Sequence, residues 1–238
     1  MLERKERFLS QEDLKLIACI TMFIDHFGRA IVPSFRIPFA VGLYYLCRII
    51  GRLSFPIYCF LLCEGMRRTR NAGKYILRLG IGVLLAELPY DYLFRGGLSW
   101  GYQSVMVTLL LGAMMLVCME KSEKSWLKAV IILFFAIAAE LCRGSYGAGG
   151  IVLIAAFALF DLPLLQTVAL LMVSWQLIPS AIVRIFSINF PIQLLATFAM
   201  IPICLYNGKK HSRSPVIQWG FYLFYPVHLA ILWLITML

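Results

Sequence analysis

Ionisable residues in this chain gather at a few places inside otherwise apolar runs. Ile24-Asp25-His26-Phe27-Gly28-Arg29 closes the first run and Arg48-Ile49-Ile50-Gly51-Arg52 opens the second. Glu87-Leu88-Pro89-Tyr90-Asp91 closes the third, and His228 stands alone within the last. A neutral imidazole accepts a proton near pH 7, which suits His26, oriented by Asp25, to general-base work. His228 reads as a second acid/base or as the carrier of a transient acyl group. A guanidinium such as Arg48 or Arg52 can stabilise an oxyanion, while Glu87 and Asp91 could position an ammonium or hold the arginines. Asp25 and Arg29, Arg48 and Arg52, and Glu87 and Asp91 are each four residues apart, so each pair shares a helix face. A charge at the bilayer centre costs roughly 3 kcal/mol, which makes every such residue a functional candidate facing a bundle interior or wet cavity. Paired charges can equally satisfy one another and lock helices together.

Lys15 and His26 lie eleven residues apart, about 16 Å along nearly one face of a helix. That stripe joins the charged cluster to a basic end where Lys15, Arg67, Arg68, Arg70 and Lys74 could hold an anionic, phosphate-bearing donor. Insertion bias alone also produces basic ends of this kind. No Walker A loop and no dinucleotide GxGxxG fingerprint is present. Gly147-Ala148-Gly149-Gly150 marks a turn or a close helix approach.

These residues need helices to hold them. Of 238 residues, 61% are apolar and 14% charged, against roughly 45–50% and about 25% in an ordinary soluble domain. The composition excludes a water-soluble globule, a disordered tail and a disulfide-stapled secreted domain. Apolar segments near 14–32, 43–66, 75–94, 104–119, 126–142, 148–162, 164–181, 185–206 and 216–238 are too long for transmembrane strands. The expected architecture is all-α, a polytopic transmembrane bundle of about nine spans forming a single domain over 1–238. Ile37 to Cys47 reads as a re-entrant or interfacial piece, and Asp161-Leu162-Pro163 as a tight turn.

The net charge is +10. With the N-terminus inside, fifteen basic residues fall on the cytoplasmic side, from Arg4, Lys5, Arg7 and Lys15 through Arg67–Arg78 and Lys121–Lys128 to Lys209, Lys210 and Arg213. Five fall outside: Arg29, Arg36, Arg95, Arg143 and Arg184. The positive-inside rule therefore places the N-terminus in the cytoplasm and the C-terminus outside, with a lipid bilayer rather than nucleic acid as partner. The seven cysteines fall mostly in apolar runs without metal-ligand spacing, and the Cys59/Cys63 pair reads as packing. His211, in a basic loop, reads as solvated, and no cleavable signal peptide is evident.

Several runs resemble the TraX family. They are Leu14-Lys15-Leu16-Ile17-Ala18 leading to Asp25-His26-Phe27-Gly28, then Ile50-Gly51-Arg52-Leu53-Ser54-Phe55-Pro56-Ile57 through Glu64-Gly65, then Ala86-Glu87-Leu88-Pro89-Tyr90-Asp91, and finally Tyr225-Pro226-Val227-His228-Leu229. The resemblance implies a multi-spanning inner-membrane protein that, in conjugative systems, N-acetylates the amino terminus of the pilin subunit. The family is also similar to membrane-bound acyltransferase family 3, whose first helix carries an Arg and a His at the separation of Lys15 and His26. Acetyl-CoA is then the expected co-substrate, with no metal, and a peptide, small molecule or glycan the acceptor. A proton-coupled transporter and a non-catalytic membrane assembly factor are the alternatives.

Overall fold

The computed structural model describes residues 7–176, 182–185, 188–209 and 214–238. Arg4, Lys5, Lys210 and Arg213 of the cytoplasmic basic count, and the loop residue His211, lie outside the described residues. Ser10 opens the first helix with a capping box: its hydroxyl accepts from the Asp13 N–H at 3.2 Å, and the Asp13 carboxylate accepts from the Ser10 N–H at 2.8 Å. Helix α1 then runs over Gln11–Ala30. Its buried stripe Leu14, Ala18, Met22 repeats every four residues and continues directly into Asp25, His26 and Arg29.

Helices α2 (Ala40–Gly51) and α3 (Ser54–Arg68) return across the bundle, broken only at Arg52-Leu53. Pro56 explains the break, because it has no N–H to give the Arg52 carbonyl four residues earlier and its ring crowds that carbonyl. The stretch expected to be re-entrant is therefore mostly the start of an ordinary helix, beginning at Ala40. Gly28 and Gly51 let α1 and α2 approach closely. A Cβ on Gly51 would collide with the Asp25 side chain.

Helix α4 (Ala72–Arg95) starts on the Asn71 side chain and stops at Gly96, whose φ of +75° suits only glycine without strain. Helices α5 (Val105–Glu120), α6 (Ser125–Leu141), α7 (Gly147–Leu159) and α8 (Pro163–Gln176) follow. The turn expected at Asp161-Leu162-Pro163 is found, and Gly147 opens α7 at φ +45° against Glu140.

The span expected at 185–206 differs. Strands β1 (Ile182–Ile185) and β2 (Ile188–Pro191) pair antiparallel, a 3-10 helix covers Ile192–Ala199, and α9 covers only Met200–Cys204. Pro191 marks the change from strand to helix, since it has no N–H to give to an upstream helical turn, whereas Pro202 lies within α9. Helix α10 (Pro215–Thr236) closes the chain against α4 and α1.

The core lies between α1, α3, α5, α7 and α10, around Leu14, Ile57, Met115, Ile154, Phe157 and Leu229. Outward faces carry Leu84 and Leu141 at 78% exposure and Leu164 at 72%, surfaces that belong against lipid rather than water. Among the described residues, Gln11–Ser34, Ala40–Arg68 and Trp219–Thr236 are the helices long and apolar enough to cross a membrane, with four shorter apolar helices beside them. One end of the bundle joins the N-terminal segment to the loop before α10 through Leu9 N–H to Leu205 C=O (3.1 Å) and Gln11 N–H to Lys209 C=O (2.9 Å).

Candidate active site

Asp25 on α1 is gripped by two guanidiniums from across the interface. Arg48 Nη1 lies 2.6 Å from one carboxylate oxygen and Arg52 Nη2 2.9 Å from the other. Arg52 is fully engaged: its Nε donates to the Arg48 carbonyl at 3.1 Å and its Nη1 to Gln193 Oε1 at 2.9 Å. The helix break at Arg52 turns its side chain inward, and the irregular segment after Pro191 delivers Gln193 to meet it. Gln193 is 96% buried, and sequence reasoning missed it because a glutamine in an apolar run carries no spacing signal.

The two membrane histidines, 202 residues apart, meet directly. His26 Nδ1 and His228 Nε2 are 2.7 Å apart with ring planes 4° from parallel, and His228 Nδ1 is 2.7 Å from the Phe224 carbonyl. A carbonyl only accepts, so His228 Nδ1 carries the proton and, in the neutral ring, Nε2 is an acceptor. His26 Nδ1–H therefore donates to it, and the lone pair of the neutral His26 sits on Nε2. Both nitrogens of His228 are occupied. No ring nitrogen is left free there for the acyl-carrier role expected of it.

Two cavities adjoin within the bundle. The first, about 410 Å³, opens near the basic end and is lined by Lys15, Arg68, Arg70 and Arg78 with Tyr75 and Tyr222. The second, about 420 Å³, holds Asp25, His26, Arg29, Arg48, Arg52 and Arg95. Met22, Tyr58, Val105 and Tyr225 line both and form the wall between them. Tyr58 is tied in place by a 3.1 Å contact between its hydroxyl and Cys19 Sγ.

Several expected roles are corrected by this geometry. Asp25 does not orient His26, because consecutive helical residues point in different directions. Glu87 and Asp91 hold neither an arginine nor the cavity. Glu87 accepts the Ser104 N–H at 3.0 Å, and Asp91 accepts the Ser99 N–H at 2.9 Å, so both serve the α4–α5 loop and the start of α5. A carboxylate at a helix N-terminus is favoured by the exposed N–H groups there.

At the basic end, Arg67 caps the last carbonyls of α7, Phe157 (3.3 Å) and Ala158 (3.0 Å), and does not line the cavity. Lys74 is exposed on the outside of α4 and does not line it either. Arg68 is partly committed to Glu64 at 2.7 Å. The Tyr206 hydroxyl donates to the same Glu64, and burial together with that carboxylate pushes its pKa up to about 12. Arg78, stacked between Tyr75 and Tyr222 at 5.9 and 5.7 Å, was legible only as one more basic residue. Among the described residues no group of three or more His, Cys, Asp or Glu assembles as a metal site. Cys59 and Cys63 are buried in packing, with the Cys63 thiol 3.4 Å from the Ile154 carbonyl.

Fold and site together define a helical membrane protein with a charged, histidine-bearing chamber between its helices. The family model described as TraX protein matches residues 10–236, and the chain belongs to that family. It is similar to the probable fimbrial assembly protein FimC, serogroup H1, of Dichelobacter nodosus, 28% identical over 233 residues covering 92% of each chain. No solved structure matches.

Proposed function

We propose that the protein transfers an acetyl group from cytoplasmic acetyl-CoA to an amine or hydroxyl acceptor presented in or across the inner membrane. In this reading the N-terminus and the loop before α10 face the cytoplasm, and the C-terminus lies outside. The carrying observation is the pair of adjoining cavities, one basic at its mouth and the other holding His26, with a shared wall. Lys15 and His26 line opposite sides of that wall, consistent with the spacing that resembles acyltransferase family 3.

Phosphates of the donor rest on Lys15, Arg68, Arg70 and Arg78, and the pantetheine arm follows the apolar lining of Leu61, Leu62, Met106 and Leu109. At the wall, the acceptor O–H or N–H attacks the thioester carbonyl carbon while His26 Nε2 takes its proton. The new C–O or C–N bond gives a tetrahedral oxyanion. Arg48 is the better placed guanidinium to stabilise it, since Arg52 is committed on all three nitrogens. Collapse breaks the C–S bond, and the His26 imidazolium returns the proton to the leaving thiolate. His228 holds the tautomer throughout, and Asp25 holds the two arginines. The relative's name, a fimbrial assembly protein, favours an acceptor at the cell surface.

The test is release of CoA thiol and radiolabel transfer from acetyl-CoA by purified protein in detergent, with His26→Gln alongside. Transfer that depends on His26 supports the reading. Wild-type rates in a folded His26→Gln protein would remove it.

A further inference from the structure

The second cavity holds four guanidiniums, from Arg29, Arg48, Arg52 and Arg95, against a single carboxylate, Asp25. Asp25 is already shared by Arg48 and Arg52. Among the described residues no carboxylate comes within ion-pair distance of Arg29 or Arg95. Each lies instead over an aromatic ring, Arg29 at 4.2 Å from the Phe94 centroid and Arg95 at 5.0 Å from that of Tyr102. A ring contact of this kind uses none of the guanidinium's N–H groups in an ion pair, so they can still receive a planar or tetrahedral anion. Both arginines are exposed, at the mouth of the cavity.

The acids that might have received a cation, Glu87 and Asp91, are turned to the α4–α5 loop. An ammonium entering here would meet four guanidiniums and a single carboxylate that two of them already hold. Insertion bias does not account for the arginines either: in the proposed orientation they lie at the outer end, where the positive-inside rule makes basic residues scarce.

We infer that the acceptor is an anionic alcohol, a hydroxyl compound whose phosphate or carboxylate is gripped by Arg29 and Arg95 while its hydroxyl reaches His26. This rests on the acetyl-transfer reading for the role of the cavity. The uncompensated charge itself does not depend on that reading. Neutral partners for the rest of such a molecule are at hand in Tyr102, Tyr146 and Gln193.

The test uses the full chain in detergent. Thermal unfolding is followed with glycerol 3-phosphate and glucuronate, with neutral glycerol and glucose, and with an uncharged-sequence peptide bearing a free amino terminus. The two anions should raise the midpoint and the other three should not. A protein with Arg29→Gln and Arg95→Gln should bind the anions at least about tenfold more weakly, the loss of charge-assisted hydrogen bonds, while keeping its affinity for CoA as proof of folding. No shift, or an undiminished shift in that variant, would overturn the inference. Labelled acetyl-CoA then separates the sources: label in glycerol 3-phosphate points to a soluble acceptor, and label in phosphatidylglycerol vesicles to a lipid headgroup. Label in the peptide amine alone would overturn the anionic acceptor and leave acetyl transfer standing. Anion binding that needs both arginines, with no His26-dependent CoA release on any acceptor, would keep the anion site and sink the transfer reading.

Discussion

The two cavities share a wall and a positive sign, yet they hold their charge in opposite ways. Around Asp25, positions are over-determined: two guanidiniums fix one carboxylate, Gln193 fixes Arg52, and Phe224 fixes His228, which fixes His26. At the basic end the side chains lie on the surface, with Arg68 and Arg70 exposed and Lys15 resting 5.2 Å from the Phe221 ring. Chemistry needs groups held to a fraction of an ångström before substrate arrives. Capture of a flexible polyanion needs only a field and donors that adapt to it. On the proposed acetyl-transfer reading, catalysis belongs to the over-determined side of the wall and donor capture to the other.

The sharpest way to break that assignment is His26→Gln. Loss of a general base should lower kcat about 10²- to 10⁴-fold with the KM for acetyl-CoA little changed. His228→Ala should cost less, roughly tenfold to a hundredfold, because the base remains and only its hydrogen-bonded orientation is lost. Equal losses in the two variants would mean that His228 meets substrate, against the geometry in which both of its nitrogens are occupied.

Asp25→Asn tests the over-determined side by stability. Removing the one carboxylate leaves two nearby guanidiniums uncompensated, with an expected loss of about 3–5 kcal/mol. Chemical unfolding in detergent, followed by tryptophan fluorescence, measures it. An Asn protein as stable as the wild type would show that Arg48 and Arg52 are solvated well enough to stand alone.

On the adaptable side, Arg70→Gln should raise the KM for acetyl-CoA about tenfold with kcat nearly unchanged, since it removes binding common to ground and transition states. Added salt should narrow the difference between variant and wild type, because exposed charges are screened. A fall in kcat at saturating acetyl-CoA would move Arg70 across the wall.

Local signals were legible where one helix carries the whole pattern. The stripe from Lys15 to His26 could be read from spacing alone, because both residues sit on the one helix α1. What joins distant segments was not. Nothing in the order of residues says that α10 lies beside α1 with His228 facing His26, or that Gln193 completes Arg52. The span expected at 185–206 failed because hydropathy registers apolar content but not the strand pairing that occupies its start up to Pro191. The glycine-lined contact between α1 and α2 was likewise hidden, since a small residue shows its use only once a partner stands against it.

Glu87 and Asp91 are the instructive failure, and the smallest expected effect tests it. Their four-residue spacing correctly put both on one face of α4, but spacing does not say what that face meets. N–H groups that a loop turns inward need acceptors as strongly as an arginine does, and here Ser99 and Ser104 claimed them. A glutamine at Glu87 keeps a carbonyl oxygen able to accept from the Ser104 N–H. Glu87→Gln should therefore leave kcat within about twofold and cost at most about 1 kcal/mol of stability, the difference between a charged and a neutral acceptor at a helix start. An acid that held an ammonium acceptor would behave otherwise: the same substitution would raise the acceptor's KM at least tenfold, and the charge balance of the second cavity would have to be redrawn around it.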